Sequence, residues 1–175
     1  MKRYCITDSV DVAARAAAAG ATMIQVRAKT LDTRELVALV QDVVAAARSV
    51  PVLVNARADV ALACGAQGVH LPSDGLAAGV VRSIVPAGFL IGVSCHVLEE
   101  LGRAEGEGAD FAVYGPVFAT ASHPGAAPVG LEALATAARA MRIPIYALGG
   151  ITEDNAALCI TAGAVGIAGI SVFRK

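Results

Sequence analysis

The sequence predicts an α/β protein whose eight parallel strands close into a (β/α)₈ barrel, the TIM barrel. Short apolar runs alternate strictly with amphipathic helical patterns along the whole chain, which predicts parallel strands joined by right-handed crossovers. The runs are apolar at successive positions, as in strands that are covered on both faces. A doubly wound open sheet shares this alternation and is the alternative architecture.

A repeated segment is the second observation that predicts this fold. In each copy a helix ends in glycine, which supplies the left-handed residue past a helix end, and a buried strand follows. The copies are A-G-A-T-M-I-Q-V-R at 19–27, C-G-A-Q-G-V-H-L at 64–71, E-G-A-D-F-A-V-Y-G at 107–115 and A-G-A-V-G-I-A-G-I-S at 162–171.

Eight strands and seven helices complete the predicted order. The strands are expected near 3–7, 21–27, 51–55, 67–71, 88–94, 109–114, 143–148 and 164–171. The helices are expected near 10–19, 33–48, 57–64, 76–84, 97–107, 130–141 and 153–162.

The last predicted strand is followed almost at once by Lys175, so the eighth helix of the barrel is expected to be missing or truncated. Barrels of this type usually need at least about 200 residues. Two explanations are open: a partner subunit fills the gap in the outer wall, or the natural chain continues past Lys175. We expect one barrel domain over 1–175, and a homodimer that covers apolar surface near the eighth strand.

Composition excludes several classes of function. The chain is 56% hydrophobic with a net charge of −1, and no basic stripe with interleaved aromatics is present, so nucleic acid is not an expected partner. No apolar run approaches the ~20 residues of a membrane span. Residues 1–7 carry two positive charges but no apolar signal region, so we expect a cytoplasmic protein.

The carboxyl ends of the strands meet at one mouth of such a barrel, which is where its chemistry is expected. The glycines after strands 7 and 8 leave backbone N–H groups accessible to an oxyanion, and phosphate is the natural ligand there. The alternative is that these glycines only form tight turns. The predicted phosphate-binding residues are Gly149, Gly150, Gly169 and Ser171.

Two cations, Arg27 and Lys29, follow strand 2 and are predicted to hold a second phosphate or a diphosphate. Gln25 lies deeper in the barrel, where a buried amide needs a partner such as a heterocyclic ring nitrogen. The three histidines, His70, His96 and His123, all fall at the same mouth. The other residues predicted to bind substrate at this mouth are Asn55, Ser94, Thr120 and Ser122, and Asp74 is an acidic residue beside them.

These motifs together resemble the family of thiamine phosphate synthases and the related thiazole tautomerases. The resemblance covers the whole chain through Y-C-I-T-D, I-Q-V-R-A-K, V-N-A-R-A-D-V-A-L, G-V-H-L, I-G-V-S-C-H, G-A-D-F-A-V-Y-G-P-V-F, A-L-G-G-I and G-I-S-V-F. It implies a ligand that is the phosphorylated thiazole half of thiamine. For the synthases it further implies that Gln25 and Asn55 hold a pyrimidine and that Arg27 and Lys29 hold its diphosphate.

The resemblance to the synthases also implies Mg²⁺, held by acidic residues after strands 3 and 4 to neutralise the departing diphosphate. This chain departs from that pattern. It has Asn55-Ala56 where the synthases have Asn-Asp, Asp74 stands one place early, and Gly75 replaces the second acid. His123 replaces a lysine of the loop after strand 6.

The tautomerases are similar in L-P-S at 71–73 and in the segment from Ser94 to Glu100. Their reaction isomerises a carboxylated thiazole phosphate and needs a general acid and base but no metal. Their presumed histidine base is Pro116 in this chain, so His123 is the first candidate base and His96 the second.

The function expected from the sequence is therefore a metal-independent thiazole phosphate tautomerase without a cofactor. The first alternative is a thiamine phosphate synthase that joins hydroxymethylpyrimidine diphosphate to thiazole phosphate, with Asp74 as a ligand of Mg²⁺. The second alternative is a protein that binds thiazole phosphate or thiamine phosphate without turnover.

Overall fold

The computed structural model describes residues 1–120 and 125–173, in which eight parallel strands close into a barrel in sequence order. The strands are β1 (Lys2–Thr7), β2 (Met23–Val26), β3 (Val52–Asn55), β4 (Gly68–Leu71), β5 (Leu90–Cys95), β6 (Phe111–Tyr114), β7 (Ile145–Leu148) and β8 (Gly166–Gly169). The helices are α1 (Val10–Ala18), α2 (Thr33–Ala47), α3 (Ala58–Ala63), α4 (Ala78–Arg82), α5 (Leu98–Gly106), α6 (Gly130–Ala140) and α7 (Ala156–Thr161).

Pairing between the first and last strands closes the sheet. β1 lies parallel to β8 with Cys5 opposite Gly169, so the barrel has no open edge. The predicted (β/α)₈ barrel is confirmed, and the open-sheet alternative is wrong.

The glycines of the repeated segment adopt the backbone conformation that the sequence predicts. Gly20, Gly65, Gly108 and Gly163 all have φ between 70° and 103°, which is the left-handed region past a helix end. In each repeat the next residue is alanine, and it is at most 7% exposed where the chain turns inward to begin the strand. The repeat therefore encodes the turn from helix to strand.

The core has two layers of different composition. Small and branched aliphatic side chains fill the layer between the strands and the helices. The barrel interior instead contains three aromatic rings, Tyr4, Phe111 and Tyr146, whose centroids lie 5.4–5.9 Å apart in edge contacts. The chain has few aromatic residues, and the barrel concentrates three of them at its axis, where large side chains are needed to fill the space.

Two helices begin with side-chain caps. The Ser9 side chain accepts a hydrogen bond from the backbone N–H of Val12 at the start of α1. At α2, Asp32 and Glu35 form a capping box in which each side chain accepts from the other residue's backbone N–H. Both caps lie on loops that follow the mouth ends of strands, so they fix where those loops end.

The strand predicted over 164–171 is shorter in the structure. β8 ends at Gly169, and a 3₁₀ turn over Ser171–Phe173 follows it. Phe173 is buried, and the Arg3 guanidinium lies 5.3 Å from its ring centroid. No helix within the described residues is long and apolar enough to cross a membrane.

Candidate functional site

Four inward-facing polar residues from neighbouring strands meet at the mouth of the barrel. Asn55, the last residue of β3, lies opposite His70 in β4, and His70 lies opposite Gly92 in β5. Gln25 and Ser94 occupy the same inward face of β2 and β5. The structure therefore brings together three residues predicted for substrate binding, Gln25, Asn55 and Ser94, beside a histidine.

The two predicted cations stand at the rim of this mouth. Arg27 is half-buried and follows β2, and its backbone N–H donates to the Thr7 carbonyl of β1 at 2.9 Å. Its charge lowers the pKa of His70, so the guanidinium acts on the centre of the mouth. Lys29 is exposed, two residues further along the loop. Neither cation forms an ion pair with any carboxylate in the described part of the chain.

Gln25 is 1% exposed, and its Nε2 atom has no hydrogen-bond partner among the described residues. A buried amide nitrogen without an acceptor costs about 1–3 kcal/mol. Such a group, placed in the interior at the level of the mouth, is suited to donate to a ligand that supplies the missing acceptor.

His70 is 3% exposed and bonds on both sides of its ring. Its Nδ1 lies 3.3 Å from the Tyr4 hydroxyl, and its Nε2 lies 2.9 Å from the Ser94 Oγ. Burial, reinforced by the nearby charge of Arg27, lowers the pKa of His70 to about 3. The imidazole is therefore neutral at physiological pH.

The lowered pKa of His70 predicts a dependence of stability on pH. Between the ordinary histidine pKa of 6.5 and the folded value of about 3, the unfolded chain takes up a proton that the folded chain does not. Stability is therefore fully present above pH 6.5 and decreases as the pH falls. We expect the urea midpoint to drop more from pH 7 to about pH 4 in the unsubstituted protein than in His70→Gln. Equal drops in the two proteins would contradict this expectation.

His96 follows β5, and its imidazole is held by the loop after β6. Its Nδ1 lies 2.6 Å from the Gly115 carbonyl oxygen, which can only accept, so Nδ1 carries the proton and Nε2 is left as a base. The side chain of Glu100 accepts from the His96 backbone N–H at 2.5 Å. These contacts fix the position of an exposed imidazole and place a proton on its Nδ1.

The glycines after β7 pack directly on the loop after β6. Gly149 and Gly150 have φ of 97° and 62°, and a Cβ atom at either position would lie within 2.5 Å of Pro116 or of the Ala119 carbonyl. Glycine is therefore required here by close packing of the two loops, independently of any ligand. Gly169 and Ser171 stand at the end of β8, where the 3₁₀ turn begins.

The loop after β4 borders a cavity of about 220 Å³ beside Ser94. Asp74 lies in this wall and is exposed, and Glu100, Arg103 and Glu107 of the α5 region line the opposite side. Among the described residues, no three His, Cys, Asp or Glu side chains are grouped so that they could hold a metal ion. Asp74 therefore lies exposed at this cavity and belongs to no metal-binding group among the described residues.

Two predicted residues, Ser122 and the first candidate base His123, lie outside the described residues. Thr120 is half-buried at the near end of the same loop.

The sequence analysis assigns no role to His70 or Tyr4, which the structure connects to Ser94 by hydrogen bonds. His70 was placed at the end of strand 4, but without a role, because a single inward histidine is as often a structural group. The signal that could have found it is register, since His70 shares the inward face with Asn55 and Ser94 on adjoining strands. Tyr4 carries no comparable signal, because it stands near the start of β1 and resembles a core residue.

Comparison with known proteins agrees with this architecture. The sequence model of the family described as "Thiamine monophosphate synthase" matches residues 2–173. The chain is 45% identical over 158 residues to "Putative thiamine-phosphate synthase 2" of Aquifex aeolicus, which covers 89% of this chain and 84% of that protein. It is 44% identical over 172 residues to "Thiamine-phosphate synthase" of Chlorobium luteolum, and this match covers 97% of this chain and 81% of that protein.

Among solved structures, "Thiamine phosphate pyrophosphorylase" from Pyrococcus furiosus superposes with a TM-score of 0.89 at 37% identity, covering 97% of this chain and 85% of that one. FabK from Thermotoga maritima superposes with a TM-score of 0.78 at 17% identity, and the match covers 98% of this chain and 58% of that one. This likeness shows the fold alone. The family match spans nearly the whole chain, and both named relatives are more than 40% identical over most of their length. This chain belongs to the thiamine monophosphate synthase family.

Proposed function

We propose that this chain is a thiamine-phosphate synthase that joins hydroxymethylpyrimidine diphosphate to thiazole phosphate and releases diphosphate. The names of the relatives favour this reaction over the tautomerase expected from the sequence. The observation that carries the proposal is the pairing of free cations with an unsatisfied buried amide at one mouth. Arg27 and Lys29 have no carboxylate partner in the described chain, and Gln25 Nε2 has no acceptor there.

Each of these groups suits one part of the pyrimidine substrate. The Gln25 amide N–H donates to a ring nitrogen, and Asn55, on the neighbouring strand, offers a second amide to the ring. Arg27 and Lys29 bind the diphosphate at the rim, where a bidentate guanidinium matches the phosphate oxygens. The thiazole phosphate then occupies the loops of Gly149, Gly150, Gly169 and Ser171, as expected for the strand 7 and 8 ends of a barrel.

The proposed reaction breaks one bond and forms one. The C–O bond between the pyrimidine methylene and the diphosphate breaks, and diphosphate leaves with the electron pair. The thiazole nitrogen donates its lone pair to the methylene carbon to form the C–N bond. Negative charge grows on the leaving diphosphate, so the fixed positive charges of Arg27 and Lys29 stabilise the transition state more than the ground state.

The family resemblance implies Mg²⁺ at this mouth, but the described residues do not fit a metal site held by the protein. Ala56 stands after Asn55 with φ of 60°, and Asp74 is exposed on the next loop. Within the ranges 1–120 and 125–173, no group of three ligating side chains accompanies them. In this proposal Arg27 and Lys29 are therefore the side chains that bring positive charge to the leaving diphosphate.

Substitution of Asp74 tests whether its carboxylate holds Mg²⁺. We expect Asp74→Asn to change kcat/KM for thiamine phosphate formation by less than about threefold, because this exposed carboxylate belongs to no metal-binding group among the described residues. The measurement is steady-state turnover across a range of Mg²⁺ concentrations, with Asp42→Asn on the outer face of α2 as the control. A large loss that raised Mg²⁺ restores would show that Asp74 does hold the metal.

The thiazole tautomerase is the second candidate, and His96 favours it. Its Nδ1–H bond to the Gly115 carbonyl selects the tautomer in which Nε2 is the basic nitrogen, so Nε2 can remove a proton from a carboxylated thiazole phosphate and return it elsewhere on the ring. This reaction needs no diphosphate site. The cations at Arg27 and Lys29 would then have no role in the chemistry.

Purified protein is incubated in separate reactions with two sets of substrates, each with and without Mg²⁺. The first is hydroxymethylpyrimidine diphosphate with thiazole phosphate, followed by chromatography of thiamine phosphate. The second is the carboxylated thiazole phosphate, followed by absorbance of the aromatic isomer. We expect product in the first reaction and no acceleration in the second.

Turnover only in the second reaction, lost in His96→Gln, would replace the synthase with the tautomerase. Binding of thiazole phosphate by calorimetry without turnover in either reaction would make the protein a binder. Failure to bind thiazole phosphate at all would remove the premise that the three readings share.

A further inference from the structure

A chain of hydrogen bonds crosses the barrel interior and ends at the mouth. The Tyr4 hydroxyl lies 3.3 Å from His70 Nδ1, and His70 Nε2 lies 2.9 Å from Ser94 Oγ. Tyr4 is 0% exposed and His70 is 3% exposed, whereas Ser94 is half-buried and lines the cavity beside the loop after β4. Two residues without a role in the proposed reaction are thus connected to one that lines a cavity at the mouth.

The surroundings of Tyr4 determine which nitrogen of His70 carries the proton. Tyr4 is 0% exposed, and His70 Nδ1, at 3.3 Å, is the hydrogen-bond partner that the described residues offer its hydroxyl. A buried phenol satisfies its O–H by donating to an acceptor within reach. The phenol proton therefore goes to His70 Nδ1.

With Nδ1 accepting, the ring proton of a neutral imidazole must be on Nε2. Burial and the charge of Arg27 keep the pKa of His70 far below neutrality, so the ring has one proton and not two. The Nε2–H then donates to Ser94 Oγ at 2.9 Å. Because this bond occupies a lone pair of the oxygen, the serine proton is directed away from His70.

The packing around His70 shows that this position of the ring is built into the core. A Cβ atom at Gly92 would lie 2.8 Å from His70 Nδ1 and 2.3 Å from the Phe111 ring, so glycine there makes room for both rings. The imidazole also contacts Tyr4 and Phe111, with ring centroids 5.7 and 6.0 Å away. The ring is therefore held on three sides.

We propose that Tyr4 and His70 are positioning residues that fix the Ser94 hydroxyl as a hydrogen-bond donor to a phosphate oxygen of the substrate. The inference rests on the proposed function, which places phosphate groups at this mouth. A serine that donated to His70 would instead present lone pairs and repel an oxyanion. The direction of the proton thus determines whether Ser94 attracts or repels the anionic group.

The tautomer is measured directly on the unsubstituted protein. Long-range ¹H–¹⁵N correlation spectra distinguish the two nitrogens of each imidazole, and loss of one set in His70→Gln identifies His70 among the three histidines. We expect a neutral ring with the proton on Nε2 and, in Tyr4→Phe, a mixture of tautomers. A ring with its proton on Nδ1 in the unsubstituted protein would overturn the proposal.

The energetic consequence is measured by calorimetry with inorganic diphosphate, which needs no turnover. We expect His70→Met and Tyr4→Phe to weaken binding about tenfold, the effect of one oriented hydrogen bond to a charged group. His70→Gln is expected to bind nearly as well as the unsubstituted protein, since its amide N–H can donate to Ser94. Tyr146→Phe is the matched control, because Tyr146 is a buried tyrosine of the same aromatic cluster.

Unchanged diphosphate binding in folded His70→Met and Tyr4→Phe would overturn the role of the two residues. If His70→Met fails to fold, Tyr4→Phe and the spectra decide the question, because Phe keeps the shape of the ring. An unsubstituted protein that binds diphosphate but forms no thiamine phosphate would refute the synthase alone. In that case the tautomer and the binding series still test the positioning of Ser94.

Discussion

Arg27→Met is expected to lower kcat/KM for thiamine phosphate formation by about 100-fold to 1000-fold, the range measured when one fixed donor to a developing charge is removed. The reason is that Arg27 is a fixed cation whose charge reaches the centre of the mouth, and it has no carboxylate partner in the described chain. Methionine keeps much of the aliphatic stem, so the loss isolates the charge. The measurement is steady-state turnover with both substrates varied.

Three comparisons make the Arg27 prediction specific. Arg34→Met, on the exposed start of α2, removes a cation of the same chain away from the mouth and should leave kcat/KM unchanged. Arg27→Lys should recover part of the loss, because an ammonium keeps the charge but not the bidentate geometry. An increase in KM with kcat unchanged would mean that Arg27 binds the ground state and does not stabilise the leaving diphosphate.

The strand and helix order could be predicted from the sequence because the fold is encoded locally. Gly20, Gly65, Gly108 and Gly163 each mark a helix end, and the left-handed φ values in the structure confirm that interpretation. The predicted end of β8 is two residues too far, because Ile170 continues the apolar pattern of the strand. The 3₁₀ turn there carries Phe173, whose ring lies against Arg3 of β1, and a contact between residues so distant in sequence leaves no local pattern.

The candidate site was only partly predictable, for a physical reason. Charged residues such as Arg27 and Lys29 are easily recognised as site candidates in an apolar chain. A glutamine at an inward strand position is recognised in the same way. The bonds of His70 to Tyr4 and Ser94 join three strands, so no local pattern contains them. Gly149 and Gly150 suggested a phosphate loop, but their conformation is also required by packing on the loop after β6.

Gly166 stands where strands β8 and β1 pair to close the barrel. A Cβ atom there would lie 2.3 Å from the Lys2 carbonyl oxygen of β1, a backbone atom that cannot rotate away. Gly166 lies opposite Lys2 in the pairing that closes the sheet. We expect Gly166→Ala to lower the free energy of unfolding by up to about 3 kcal/mol, near the upper end of the usual cost of overpacking a core.

Gly102→Ala is the matched control, because it makes the same chemical change where there is room. Gly102 lies inside α5, and a Cβ atom there would meet nothing within 4 Å. We expect this variant to raise the free energy of unfolding by up to about 1 kcal/mol, the difference in helix propensity between glycine and alanine. Urea unfolding followed by circular dichroism measures both variants. Equal stability of Gly166→Ala and the unsubstituted protein would show that β1 and β8 can separate without cost, and that the barrel does not depend on this contact for closure.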